Sequence, residues 1–268
     1  MDTTPFDDAR LRRARDEDAD QRTREIAAGL LAVRERIAAA AAACGRIDLP
    51  ALIVVTKTFP AEDVVRLHDL GVREVGENKH QEAAAKAAAV EQELARRAGR
   101  DPQEAAADGS SMRWHFVGQL QSNKARSAAG YAAAVHSLDR GSLLTALARA
   151  AGDRRQPLDC LVQVDLRREI PADSRGGAAP EAVAGLADRL AVSEGLRLGG
   201  LMAVAPLDEE PAAAFARLAE ISRRLREDHP EAQMISAGMS TDLEAAVAAG
   251  ATHLRVGRDV LGKRGTGR

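Results

Sequence analysis

Two rhythms of apolar and polar positions follow each other along this chain. Ile26, Leu30, Val33 and Ile37 recur at spacings of four, three and four, the stripe of an amphipathic helix, with Thr23 as its expected N-cap. From Ala51 the pattern changes to short apolar runs, near 51–56, 72–75, 114–117, 133–137, 158–164, 198–204, 233–236 and 253–257. A run without polar alternation reads as a strand buried on both faces, the habit of parallel sheets. Helical patterns separate the runs. Pro60 to Leu70 closed by Gly71, and Pro180 to Ser193 closed by Gly195, carry proline at the start and glycine past the end. Parallel neighbours need such crossovers, so the pattern predicts an α/β fold, a single (β/α)8 TIM barrel, with the helix before the first strand closing the ring. A doubly wound open sheet is the alternative, and no GxGxxG follows the first run to support it.

Two segments depart from this alternation. Residues 1–21 are dense in Asp and Arg with little to bury, and are expected to be a disordered extension ahead of a barrel over residues 22–268. The stretch from Ala95 to Met112 is rich in Arg, Gly, Asp, Pro and Ser and reads as a surface loop. Composition then excludes several classes. With 45% apolar and 29% charged residues and a net charge of −2, the chain suits a soluble globular protein, and no field draws in nucleic acid or anionic lipid. No apolar run reaches membrane-span length and no apolar signal core leads the chain, so a cytoplasmic protein is expected. Cys44 and Cys160 lack metal spacing and read as buried thiols of a reducing compartment.

The chemistry starts at Lys57. The run Ala51-Leu-Ile-Val-Val-Thr-Lys57 ends in a lone ammonium at a strand's carboxyl end, where α/β folds gather ligands. Apolar walls there would lower its pKa and free the amine to condense with an aldehyde; a lysine simply reaching solvent is the plain alternative. A second signal is Ile235-Ser-Ala-Gly-Met-Ser-Thr-Asp-Leu-Glu244, which reads as strand, glycine turn and helix, with Thr241 and Glu244 at capping-box spacing. The helix start offers unpaired N–H groups to an anion, Ser240 adds a hydroxyl, and Gly257 after the last strand allows close approach. An aldehyde acceptor and a phosphate grip on one rim suggest pyridoxal 5′-phosphate (PLP). Arg255, a donor-only group, would hold the pyridine nitrogen unprotonated, unless it only pairs with a rim carboxylate.

Val54-Val-Thr-Lys57, Gly76-Glu-Asn78, Trp114-His-Phe-Val-Gly118 with Leu120-Gln-Ser-Asn-Lys124, Val135-His-Ser137, Gly200-Leu-Met202, Gly238-Met-Ser240 with Thr-Asp-Leu-Glu-Ala-Ala after it, and Arg255-Val-Gly257 occur in this order. Together they resemble the YggS/PROSC family of pyridoxal-phosphate homeostasis proteins over roughly residues 25 to 264. That family is similar in fold to the barrel domain of alanine racemase, so the resemblance implies a PLP-binding (β/α)8 barrel of fold type III. It implies Lys57 as the Schiff-base lysine. Ser240, the backbone at Gly238 and Met239, and Gly257 with Arg258 fall on the phosphate. Arg255 falls at the pyridine nitrogen, and Asn78, His115, Ser137 and Met202 around the ring. Plain alternatives are a helix cap for Asn78, a hydrogen-bonded core histidine for His115, packing for Met202 and a local carbonyl bond for Ser137. Arg258 departs from the small or hydroxyl residue usual there.

Function follows from the same resemblance together with an absence. Racemisation needs two bases on opposite faces of the cofactor; Tyr131, the chain's only tyrosine, is expected far from the rim, and no second domain follows Arg268. The expectation is a protein that buffers and carries PLP, linked to vitamin B6 and to amino- and keto-acid balance, and not an enzyme. Its partners would be PLP itself and apo-enzymes that receive it, with a monomer expected and no nucleic acid or membrane. The alternatives are a slow PLP-dependent amino-acid racemase, or a Schiff-base lyase on the same barrel without PLP.

Overall fold

Short apolar runs bounded by turn residues cannot sustain helices, and all eight become strands in the computed structural model, which describes residues 8–16, 19–99, 111–152, 154–169 and 177–262. They are β1 (Ala51–Val55), β2 (Glu74–Glu77), β3 (Arg113–Phe116), β4 (Ala134–Leu138), β5 (Leu158–Gln163), β6 (Leu196–Met202), β7 (Met234–Ser236) and β8 (His253–Val256). Each pairs in parallel with the next and β8 returns to β1, closing an eight-stranded barrel as expected. The helices are α1 (Asp8–Asp16), α2 (Gln21–Ala43), α3 (Ala61–Asp69), α4 (His80–Ala98), α5 (Ala125–Tyr131), α6 (Gly141–Ala151), α7 (Val183–Ala191), α8 (Pro211–Asp228), α9 (Leu243–Ala248) and α10 (Arg258–Leu261).

Helix α2 precedes β1 and closes the ring. The short α10 lies on it at Gly29, where an added Cβ would meet the Val260 carbonyl at 2.5 Å, so only glycine admits this approach. Asp20, not Thr23, caps α2. Its carboxylate accepts from the Arg22 and Thr23 amides at 3.0 and 3.2 Å and from the Thr23 hydroxyl at 2.6 Å. A charged acceptor at a helix N-terminus outcompetes a hydroxyl one turn further in.

Three other expectations need correction. Part of the extension expected to be disordered is helix α1, with Leu11 wholly buried and Asp8 paired to Arg34 of α2 at 2.7 Å. One anchoring leucine is worth about 2 kcal/mol, which mean composition does not reveal; residues 1–7 and 17–18 lie outside the described residues. The loop expected from Ala95 begins later, because Glu93 pairs with Arg96 and Arg97 at 2.8 and 2.7 Å and carries α4 to a left-handed Gly99. Residues 100–110 are not described. Cys160 is wholly buried, as expected, but Cys44 is exposed, because it caps α2 beyond Ala41, the helix's last buried position.

The main apolar core lies between the strands and the helices, with Leu52, Val54, Trp114, Phe116, Leu143 and Phe215 among its members. Inside the barrel, Leu161, Met202 and Met234 form a small apolar cluster among the described residues. The amino end is sealed by ion pairs: Arg197 grips Asp159 at 2.5 and 2.7 Å, and Arg113 bridges Glu74 at 3.2 Å and Asp159 at 3.6 Å. No described helix is long and apolar enough to cross a membrane.

Candidate functional site

Past Val55 the chain of β1 turns over at the barrel mouth. The Thr56 amide donates to the Gly76 carbonyl at 2.9 Å and the Phe59 amide donates back to the Thr56 carbonyl at 3.1 Å, leaving Lys57 and Thr58 at the centre of a four-residue turn. Thr58 has φ 69°, the one positive value at a non-glycine among the described residues. A β-branched residue there stores about 1–2 kcal/mol, which persists only where the surroundings over-determine the backbone. Lys57 itself is exposed. The apolar walls its strand suggested do not enclose it, because the turn lifts it above the last inward-facing residues.

The rigid support beneath this turn was not foreseen. Glu77, at the end of β2, is wholly buried and accepts from Lys86 Nζ at 2.5 Å and from the Thr56 hydroxyl at 2.7 Å. Lys86 of α4 also donates to the Thr56 carbonyl at 2.9 Å. The residue next to Lys57 is thus held at both its side chain and its carbonyl. The available signal was a carboxylate inside a buried strand, which requires a partner.

Across the mouth, the turn after β7 is shaped by Gly238 at φ 88°, where a Cβ would meet Ala246 Cβ at 2.6 Å and Leu254 Cδ2 at 2.9 Å. Its carbonyl accepts the Arg255 amide at 3.0 Å, while no described acceptor takes the amides of Gly238 or Ser240. The Met239 amide is already engaged by the Asp242 carboxylate at 2.5 Å. The expected Thr241–Glu244 capping box does not form: Asp242 occupies the cap of α9, and Glu244 is drawn to Arg36 at 2.9 Å. Arg36 of α2, absent from every motif, also reaches the Ser240 carbonyl at 2.9 Å and Asp259 at 2.8 Å, tying the turn to α2 and α10. Gly257 is partly exposed and Arg258, the first residue of α10, is exposed.

Between these two edges lies Arg255. It is 5% exposed, donates from its two terminal nitrogens to Ser236 Oγ at 2.7 Å and the Ala203 carbonyl at 2.9 Å, and has no carboxylate in ion-pair contact among the described residues. Burial pushes its pKa down to about 10, against a pull from Asp242. Near the end of β4 the Ser137 hydroxyl is buried and has no partner among the described residues. Such a group is expected to find one.

The family model for the N-terminal domain of alanine racemase matches residues 30–264. Over 251 residues the chain is 43% identical to a pyridoxal phosphate homeostasis protein of Mycobacterium leprae, covering 90% of this chain and 93% of that relative. The chain belongs to the family of pyridoxal phosphate homeostasis proteins. The family member of Escherichia coli K12 is 35% identical over 248 residues, 90% of this chain and 97% of the relative. The structure of PipY from Synechococcus elongatus PCC7942 with PLP bound is similar with a TM-score of 0.68 and 30% identity, over 88% of this chain and all of PipY.

For this pyridoxal phosphate homeostasis family member, the carboxyl end of the barrel gathers Lys57, Asn78, Ser137, Met202, Gly238, Met239, Ser240, Gly257 and Arg258 at the last residues of their strands or just beyond. Asn78 is fixed by Gly118, where a Cβ would sit 2.7 Å from the Asn78 Cα, and it does not cap α4, which starts from Lys79. Met202 packs on Leu161 and Met234. His115 is not at the mouth: it is wholly buried, with Nδ1 on His136 at 2.8 Å and Nε2 on Glu74. Tyr131 stands outside the barrel wall, edge-on to Trp114 with ring centroids 6.4 Å apart, and burial drives its pKa up.

Proposed function

We propose that this protein binds PLP at the barrel mouth through Lys57 and serves to hold and pass on the cofactor. The observation that carries the reading is an exposed Lys57 on a strained, clamped turn at the end of β1, beside the neighbouring β8 with its buried Arg255, which has no carboxylate partner among the described residues. The residues present fit the group in their donor set. Amides of Gly238 and Ser240 without protein acceptors, the Ser240 hydroxyl and the Arg258 guanidinium suit a phosphate. The buried, partnerless Ser137 hydroxyl suits a polar ring substituent. When bound, PLP supplies an aldehyde that combines reversibly with an amine and a ring that withdraws electrons.

The chain's own residues do the rest. Lys57 offers the amine, and the turn from Thr56 to Phe59 restricts where it points. Gly238 and Ser240, with Gly257 and Arg258, hold the anionic end; a part for the Met239 amide requires Asp242 to release it. Arg255 can only donate, so beside a ring nitrogen it keeps that nitrogen without a proton and weakens the ring as an electron sink. Tyr131, outside the barrel wall, is poorly placed as a second base, which supports storage over racemisation. Cytoplasmic residence, a monomeric state and transfer to apo-enzymes complete the reading.

The test is a spectrum of the purified protein with added PLP, before and after borohydride, followed by peptide mapping. A visible band that reduction removes, with the label on Lys57, is expected. A colourless protein, or a label elsewhere, overturns the proposal. Solvent deuterium exchange at Cα of amino acids, at an enzymatic rate abolished by Lys57→Ala, would instead establish the racemase.

A further inference from the structure

Behind the mouth, a line of buried polar groups crosses the barrel from Arg255 to its amino end. Arg255 donates to Ser236 Oγ at 2.7 Å. Ser236 Oγ lies 2.9 Å from His136 Nδ1, and His136 Nε2 lies 2.8 Å from His115 Nδ1. His115 Nε2 meets the Glu74 carboxylate, whose other oxygen faces Arg113. Ser236, His136 and His115 are wholly buried. We propose that Glu74, at the far end of the barrel from Lys57, orients Arg255 through this one-way chain of hydrogen bonds and is a positioning residue for a ligand's ring nitrogen. The role at the ring nitrogen rests on the reading of the mouth as a PLP site; the direction of the chain does not.

The direction follows from the two ends. A guanidinium can only donate and an ionised carboxylate can only accept, while each group between has one proton to give along the line. If every bond holds one proton, Ser236 donates to His136 Nδ1, His136 donates from Nε2, and His115 donates from Nε2 to Glu74. Both imidazoles are then neutral and in the same Nε2–H tautomer. Burial tends to raise the Glu74 pKa, but the bond donated by His115 and the nearby Arg113 guanidinium outweigh it and hold the carboxyl below its usual value, keeping the acceptor end ionised. The competing arrangement has a doubly protonated His115. It turns the His136 tautomer around, so Ser236 Oγ receives two donors and its own proton has no described acceptor, a costly state in a dry interior. It also adds a cation to an interior that already holds Arg255, with Arg113 and His253 nearby. Burial, with the charge of Arg255, pushes the His136 pKa well down, in keeping with a neutral ring.

A purely structural polar core would pack equally well with either tautomer and would not report at the mouth. The full chain without PLP, labelled with 15N-histidine, separates these cases by long-range 1H–15N spectra at neutral pH. His115 and His136 are both expected as Nε2–H; an Nδ1–H signal or an imidazolium from either overturns the chain. Glu74→Gln keeps an acceptor but permits reversal, because its amide can also donate. Mixed tautomers are expected, with PLP affinity weakened about tenfold, the worth of one hydrogen bond. Ser236→Ala, which cuts the chain beside Arg255, should weaken PLP binding to a similar extent and serves if Glu74→Gln fails to fold. Arg197→Gln, which touches the same ion-pair ring through Asp159 only, should leave affinity unchanged. Unaltered tautomers and affinity in folded Glu74→Gln, or unaltered affinity in Ser236→Ala, overturn the positioning role. A parent protein that fails to bind PLP while showing both Nε2–H signals refutes the PLP site and leaves the chain standing.

Discussion

Replacing Lys86 by methionine tests the clamp beneath Lys57. The Lys86 and Glu77 side chains are 9% and 1% exposed and meet at 2.5 Å. Methionine fills much of the same volume, so the loss is electrostatic more than steric. It leaves the Glu77 carboxylate with the Thr56 hydroxyl alone and strips the Thr56 carbonyl of its donor at 2.9 Å. Uncovering one member of a buried pair costs about 3–5 kcal/mol. For a chain of this size each kcal/mol moves Tm by about 2–4 °C, so Lys86→Met should melt roughly 6–20 °C below the parent. Urea unfolding gives the free energy directly. Glu77→Gln combined with Lys86→Met should recover at least about 2 kcal/mol of the sum of the single losses, since the uncompensated charge is gone. The single variant should also bind PLP more weakly, because Thr56 precedes Lys57. A loss under about 1 kcal/mol, or strict additivity in the double variant, refutes the clamp.

Other expectations follow from the same geometry. Thr58→Gly relieves a left-handed β-branched residue, so stability should stay within about 1 kcal/mol of the parent while PLP affinity falls as the turn loosens; a loss above about 2 kcal/mol in urea melts contradicts the strain. Burial holds the His253 pKa down to about 4, and the His136 pKa is also well down. The unfolded chain therefore takes up protons near pH 6.5 that the folded chain refuses, and stability should fall as pH drops from about 6.5 to 4. His253 alone contributes at most about 3 kcal/mol to that fall; equal stabilities at pH 7.5 and 5 would falsify this. Arg36→Met frees the Ser240 turn from α2 and α10 and should weaken phosphate-dependent PLP binding several-fold, with little change for pyridoxal, as measured by absorbance titration.

Much of the architecture was legible because it depends on local pattern. Eight doubly buried runs separated by helical stripes admit few packings, the parallel barrel and the doubly wound sheet among them, and closure leaves the barrel without edge strands. Lys57, Gly238 and Gly257 could be singled out because position at a strand end, freedom of φ and the lack of a side chain belong to single residues. Leu11 could not, since its value comes from a partner surface on α2. Nor could the cap at Asp20, where two residues three apart each have a side chain able to start the helix.

Contacts across the barrel were beyond the linear chain. His115 read as a ring contact from its motif, yet inward alternation on β3 puts it in the barrel interior beside His136 and Glu74. Glu77 with Lys86, and Arg36 with Ser240, join elements whose separation in the sequence says nothing about distance. Strand order, element type and the residues at each strand end are written in periodicity, which acts within a few residues. Which buried charge meets which partner depends on closure of the sheet, because only closure brings side chains from β2, β3, β4, β7 and β8 into one dry interior where each polar group must be matched.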